Sequence, residues 1–465
     1  MSQEIDLMGE NRISTGGVEH SALDWNTLSL ANTTWRCALL EDTMSLTEAY
    51  LEYDAHNYEN AIRLCHTVLF DDRHNHEAFN LMGACCMMRE TFKDACGLFR
   101  NALKYDPTNP RYLSNMSSAL QECHETQSAV LYAKSALDGA PNDASCLLNA
   151  GVACRRAGEH KETQQFARRA IVAEPNNADA HVMLGENLLL LGEWEAGWRE
   201  RIMWSPKRMK MPFDTHPEIQ SIEWNGMHLP GEKIVVLCDE GFGDAIQYAR
   251  FLRFVARRSA GVILVGPMEL ELLRDVDGVI DYQTWDDEIP EHGAHCRISL
   301  LPIFFPYVPR DAYIPAALPP LPQYMPRIGL AWRGRPIPRG RSIPFDLMAS
   351  VLREMDAEFV SLQPDITTQE RELLPTMQCP EIKTFRDTRD VINTTDWVLS
   401  IDSAVVHLAG AMGKPTMVLL SRDNDWRWGT YLSGWSPFYH SVCMLRQEVA
   451  GDWKSVLERV RDGSY

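Results

Sequence analysis

Apolar positions in the first half of the chain fall at helical intervals, and their arrangement returns every 34 residues. A small residue recurs at Gly83, Ser117, Gly151 and Gly185, and a proline at Pro107, Pro141 and Pro175. Between His76 and Asn109, Phe79, Gly83, Ala95, Phe99, Ala102 and Pro107 mark two apolar helices joined by a turn. Small residues permit the close approach of paired helices, and each proline stops a second helix because its ring cannot continue the backbone hydrogen bonding. The units starting at Pro110 and Ala144 keep Ala129, Ala136 and Ala170 but carry Ala133 and Ala167 where the first has Phe99. A degenerate unit, Asp42 to Asn75 with Ala61, precedes them. A half unit, Ala178 to about Trp204 with Leu184, Gly185 and Trp194, follows, giving about four and a half units in all.

From Ser205 the period vanishes. Pro206, Pro212, Pro217, Pro230 and the turn Trp224-Asn225-Gly226 mark a linker over 205–231. Beyond it short β-branched runs alternate with helical stretches, the signature of an α/β region. Ile234 to Leu237 and Val262 to Val265 are strands, with helices from Asp244 and Pro267. A second set begins at Ile328 with IGLAW and continues with EFVSL, WVLSI and TMVLL, interleaved with helices from Phe345, Thr367, Arg389 and Ser403. The pattern predicts two Rossmann-like halves, 232–325 and 326–450. A last amphipathic helix within 451–465 is expected to cross back onto the first of them. Residues 1–41 show no clear period and read as a partly disordered lead with one short helix near Trp35 to Leu40.

With 465 residues and 45% hydrophobic content the chain can bury several cores. Its net charge of −19 disfavours a nucleic-acid partner, which usually needs a basic stripe. No run of about 18 apolar residues and no basic, apolar leader is present, so neither a membrane span nor a signal peptide is expected. Twelve scattered cysteines suit a reducing cytoplasm. His66, His74 and His76 with Cys65 lack a second ligand pair at zinc spacing and read as surface histidines.

Three clusters carry chemistry. The turn Asp239-Glu240-Gly241-Phe242-Gly243-Asp244 follows the first strand, at the sheet edge where α/β proteins bind ligands. It is a poor dinucleotide fingerprint, because Ile246 stands where a third glycine is needed. Arg333, Arg335, Arg339 and Arg341 fall within nine residues after IGLAW, and guanidinium forks match phosphate oxygens; the alternative is a solvated basic loop paired with surface carboxylates. In the third cluster a buried strand ends at Asp402, and the N–H groups of Ser403 and Ala404 open a helix, a setting that favours an anion. His407 lies one helical turn on and can face the same site, or simply pack in the core.

The 34-residue units resemble tetratricopeptide repeats, whose concave face takes up extended peptide or protein; packing alone is the other reading. Asn115 and Asn149, one period apart, are candidates to grip an acceptor backbone. Gly243-Asp244, Arg341-Ser342-Ile343-Pro344 and Asp402-Ser403-Ala404 with His407 resemble the GT-B glycosyltransferases, in particular the family nine group that includes lipopolysaccharide heptosyltransferases. Fusion to repeats is similar to bacterial protein glycosyltransferases, including those that modify flagellin. The fold class implied is α plus α/β: a repeat solenoid over 42–204, then a GT-B transferase of two Rossmann-like domains.

The resemblance implies Asp244 as general base in an active-site loop with Glu240, Gly241 and Gly243. It implies Arg333, Arg341, Ser403 and Ala404 on the donor diphosphate, and Gln363, Asp402 and His407 at the donor. The donor would be a nucleotide diphosphate sugar, with no metal and no other cofactor. The repeats would bind a protein acceptor or a chaperone. A glycan or lipid precursor as acceptor, and a scaffold that has lost activity, stand beside this reading. Asp425-Trp426-Arg427-Trp428 suits aromatic stacking on the donor or core packing equally.

Overall fold

The computed structural model describes residues 44–204, 219, 221–305, 307–317, 325–335, 340–423 and 425–464. The lead, its short helix near Trp35, most of the linker and residues 336–339 of the arginine loop, Arg339 among them, lie outside the described residues.

Among the described residues the first half is a stack of five helix pairs rather than four and a half: α1 Met44–Asp54 with α2 Tyr58–Asp71, α3 His76–Met88 with α4 Phe92–Tyr105, α5 Pro110–Glu122 with α6 Thr126–Gly139, α7 Ala144–Arg156 with α8 His160–Ala173, and α9 Ala178–Leu190 with α10 Trp194–Met203. It is a helical-repeat region resembling tetratricopeptide-repeat proteins. Local signals recur at the same period. Asn75, Asn109, Asp143 and Asn177 each accept a backbone N–H from the first turn of the helix they precede. The turn within each pair needs a left-handed residue, which falls at His56, Glu90, His124, Gly158 and Gly192, with φ of 62, 63, 61, 80 and 83°.

The small residues of the period sit where the helices of a pair cross. A Cβ on Gly83 would lie 2.5 Å from the Phe99 ring, and one on Gly185 only 2.4 Å from the Arg201 backbone nitrogen. Each contact joins a residue to the one sixteen further on. Where the third unit has Ser117 instead of glycine, the facing residue shrinks to Ala133, and both stay buried. The third unit thus exchanges volume within its pair, whereas in the fourth Met183 of the next unit fills the space beside Gly151, its Sδ 2.5 Å from where a Cβ would stand.

Two parallel sheets follow. The first contains β1 Ile222–Glu223, β2 Lys233–Leu237, β3 Gly261–Val265, β4 Val279–Gln283 and β5 Ala294–Arg297, in the order β1-β5-β2-β3-β4. The end of the expected linker therefore contributes an edge strand. The second contains β6 Arg327–Ala331, β7 Glu358–Ser361, β8 Trp397–Ile401, β9 Thr416–Leu420, β10 Ser433–Trp435 and β11 Val442–Arg446, in the order β10-β11-β9-β8-β6-β7. Only the β10–β11 pairing is antiparallel among the described residues. The middle strands β3 and β9 are buried throughout, as expected where helices cover both faces of a parallel sheet.

The described α-helices among these strands are α11 Phe242–Tyr248, α12 Leu252–Ala256, α13 Leu301–Phe304, α14 Phe345–Leu352, α15 Thr368–Leu373, α16 Phe385–Asn393 and α17 Ala404–Ala411, and the last helix, α18 Trp453–Arg461, does not cross back. Trp453, Val456, Leu457 and Val460 pack with Ile328, Met348 and Leu445 of the second half, and Arg461 reaches Glu354 at 2.6 Å. The reason is its apolar face, which completes the core on that side of the second sheet. A separate core joins all three parts: Leu189, Trp198 and Ile202 from the solenoid, Ile234 and Val236 from the first sheet, and Val398, Val418, Phe438 and Tyr439 from the second.

Candidate functional site

The carboxyl ends of β2 and β8 are brought close by the two helices that follow them. The first, α11 Phe242–Tyr248 by its place in the chain, carries Asp244 in its first turn; the second, α17 Ala404–Ala411, starts directly after Asp402 and Ser403. Gly243 is what lets them meet, since a Cβ there would lie 2.9 Å from His407 Cδ2 and 3.5 Å from Ala404 Cα. Gly241 is the extended residue that turns the chain into α11. Glu240, just before it, is buried.

Arg427 sits at the centre of this meeting, in the turn that follows β9. Its guanidinium is almost completely buried and all its nitrogens are used: Nε donates to Gln247 Oε1 at 2.7 Å, Nη1 to Asp425 Oδ1 at 2.6 Å, and Nη2 to Asp244 Oδ1. Asp244 and Gln247 belong to the first α/β half and Asp425 to the second, so one side chain bolts the two α/β halves together. A charge this deeply buried is tolerable only when paired and fully hydrogen-bonded.

The surrounding groups are perturbed accordingly. Burial, reinforced by Asp425 and opposed by Arg427 and Arg341, pushes the Asp402 carboxyl up to about 6. Burial and the nearby Arg427 push His407 down to about 3, so its imidazole is neutral at physiological pH. His407 Nδ1 pairs with the Tyr439 hydroxyl at 2.9 Å, and its ring stacks near Trp428. Asp239, at the end of β2, is pushed up to about 7 by burial and by Glu240, although Ser299 donates to both of its oxygens, at 2.6 Å from Oγ and 3.2 Å from N.

The start of α17 has no side-chain cap; Ser403 Oγ faces Ser400 Oγ at 3.3 Å instead. An uncapped helix start is a ready site for an anion. Arg341 lies beside it, donating to the carbonyls of Asp402 at 3.4 Å and Arg335 at 3.2 Å, and burial lowers its pKa. Arg333 is engaged elsewhere. It pairs with Glu370 at 2.6 Å and Asp365 at 3.1 Å, while its backbone N–H donates to Gln363 Oε1 at 3.1 Å and Gln363 Nε2 donates to Asp365 at 3.2 Å.

The structure therefore gathers Gly243, Asp244, Asp402, Ala404 and His407 into one cluster where the two sheets meet, with Arg341 at its side. It sets Arg333 and Gln363 in a second, self-paired cluster. The two solenoid asparagines serve the stacking of the units. Asn149 is buried, donates to Ser114 O and Oγ at 2.8 Å each, and accepts from Gln121 at 2.9 Å and Ser118 at 3.2 Å; Asn115 donates to Asn80 at 2.8 Å. Asn149 has no polar atom left for a bound peptide.

Sequence reasoning missed Arg427 and Asp239 as ionisable members of the site. Arg427 stood inside a motif read for its tryptophans, and its partner Asp244 is 183 residues away. Among the described residues no group of three or more His, Cys, Asp or Glu could hold a metal, and no helix is long and apolar enough to cross a membrane.

No protein-family model matches the chain. It is 23% identical over 432 residues to Protein FlbA of Caulobacter vibrioides (strain ATCC 19089 / CIP 103742 / CB 15), covering 81% of this chain and 70% of FlbA. That share is too large for either half alone, so the similarity takes in both the solenoid and the α/β region. Solved structures match over about a third of the chain. They include MamA (19% identity, 35% of this chain, 97% of MamA, TM-score 0.32) and YrrB, described as a TPR protein with an unusual peptide-binding site (20%, 36%, 89%, 0.32). PilW, described as a type IV pilus biogenesis factor, is also similar (19%, 36%, 77%, 0.34).

Proposed function

We propose that the chain is a GT-B glycosyltransferase whose two parallel sheets act as Rossmann-like domains, moving a sugar from a nucleotide diphosphate sugar to a hydroxyl of a protein recruited by the repeats. The observation that carries this reading is the meeting of Asp244, from one sheet edge, with Asp402, the uncapped start of α17 and His407 from the other. In this reading the diphosphate lies against the N–H groups of Ser403 and Ala404 and the Arg341 guanidinium, which take up charge as the sugar–phosphate bond breaks. Asp244 accepts the acceptor hydroxyl's proton as the oxygen attacks the anomeric carbon. Neutral His407 can donate a hydrogen bond without adding charge.

A second reading, a binding scaffold whose α/β region does no chemistry, is favoured by that same closed Asp244–Arg427 pair and by the commitment of Arg333 to Glu370 and Asp365. The two separate in one experiment. Purified full-length protein is incubated with a panel of nucleotide diphosphate sugars and cell lysate, and mass added to protein is measured. Transfer by the wild type, lost in Asp244→Asn, supports the transferase. No transfer and no donor hydrolysis with any sugar leaves the scaffold. Removal of residues 1–75, distant from the cluster, is expected to weaken labelling of protein while leaving donor hydrolysis intact.

A further inference from the structure

We infer that the last helix pair of the solenoid holds the Asp244 helix in place, through Arg201, Trp198 and the Trp426–Trp428 turn, and so acts on the transfer step as well as on recruitment. This rests on the reading of Asp244 as the base. Trp198 of α10 is buried edge-on against Trp426 at 4.9 Å and against Tyr248 at 5.8 Å between ring centroids. Arg201, three residues on, lies over the Trp426 ring, its guanidinium carbon 5.5 Å from the centroid. Gly185 makes this possible by letting α9 approach the Arg201 backbone. Arg427 stacks on Trp426 at 4.2 Å and reaches from there to Asp244 and Gln247.

The helix α11 is thus held at both ends. Trp198 touches Tyr248 at its last residue, and Arg427, seated on an indole fixed by Trp198 and Arg201, grips Asp244 near its first. Three fixed nitrogens on Arg427 leave its fork one orientation, so a displacement of Trp426 is passed on to the carboxylate. Arg201, Trp198 and Trp426 are positioning residues and need no contact with substrate. A misplacement of about 1 Å at a catalytic group is enough to cost on the order of a hundredfold in rate.

The test uses the full chain with Arg201→Met, which keeps side-chain length and removes the cation, and Trp198→Phe, which keeps an aromatic ring. Phe70→Ala, at an exposed site in the second helix, is the control. Amide hydrogen exchange is followed by mass spectrometry, and donor hydrolysis to water is assayed with the nucleotide sugar that the wild type uses. The expected result is exchange in residues 242–248 raised roughly tenfold in both variants, with strand β9 unchanged. In the same variants kcat for hydrolysis falls about tenfold while KM for the donor stays within about twofold. Exchange in 242–248 equal to wild type in both variants overturns the inference, as does an effect confined to KM for a protein acceptor. If the wild type hydrolyses no donor, the transferase reading fails by itself, and the exchange measurement still decides whether the solenoid holds α11.

Discussion

Gly185→Ala adds one methyl group where the last helix pair crosses, and the outcome can be worked from its surroundings. The new Cβ would stand 2.4 Å from Arg201 N and 2.8 Å from both Cα and Cβ. Alanine in a helix interior is intrinsically better than glycine by about 1 kcal/mol. Overpacking typically costs about 1–3 kcal/mol, and a backbone atom cannot swing aside, so the upper end applies here. The net is a loss of about 2 kcal/mol, or roughly 4–8 °C in Tm for a unit of this size. Gly83→Ala meets the buried Phe99 ring at 2.5 Å and should lose less, because a ring can tilt; Gly151→Ala meets Met183 Sδ at 2.5 Å, a flexible side chain, and should lose least. Thermal unfolding of the three variants followed by far-ultraviolet circular dichroism, which reads the loss of helix in every pair, gives the order. Gly185→Ala as stable as wild type, or Gly151→Ala the least stable of the three, would refute the argument that rigid backbone contact sets the cost.

Arg427→Gln should lose about 3–5 kcal/mol by leaving Asp244 buried beside no cation, and Asp244→Asn added to it should recover part of that loss in denaturant titrations. Asn149→Ala should cost about 1–3 kcal/mol, since Gln121 and Ser114 lose buried partners, whereas half-buried Asn115→Ala should cost less; equal costs in urea unfolding would count against the strut role. His124→Gly, at an exposed turn residue with φ of 61°, should leave stability unchanged or raise it by up to about 1 kcal/mol, read as a Tm shift. The two perturbed groups of the cluster oppose each other with pH. Asp402, raised to about 6, penalises the folded state above that pH, and the penalty fades as pH falls towards about 4; His407, held at about 3, lets the unfolded chain alone take up a proton below about 6.5. Asp402→Asn should therefore be more stable than wild type at pH 8 and converge with it near pH 4, while His407→Gln should flatten the fall in stability between pH 6.5 and 4.

The helix pairs were legible because close contacts such as Gly83 with Phe99 and Gly185 with Arg201, sixteen residues apart, recur in register; the caps at Asn75, Asn109, Asp143 and Asn177 were equally readable and add the starts of the first helices. Strands such as VILV could be read because they are buried on both faces. AHCR and VCMLR could not, since their polar residues are satisfied by distant partners: His295 pairs with Ser221 at 2.9 Å, and Arg446 donates to the carbonyls of Trp428 and Gly429. In the cluster, glycine spacing and helix-start chemistry marked Gly243, Asp402 and Ala404 locally. Arg427 carried no such mark, because its role is set by a first-half carboxylate that only the folded chain brings near. The same limit applies to Asn149, whose period was visible while the neighbours that use up its amide were not.

The core that Leu189, Trp198 and Ile202 share with both sheets has a consequence for how the chain can be divided. The text of the sequence changes character at Ser205, yet the folding unit does not end there: α9 gives Met183 and Leu184 to the solenoid's interior and Leu189 to the interior of the α/β region. Cutting at the visible boundary would strip apolar surface bare on both fragments and invite aggregation in each. Unfolding of the last helix pair and of the cluster should be one cooperative event, with the earlier pairs free to fray from the other end as stacked repeats do.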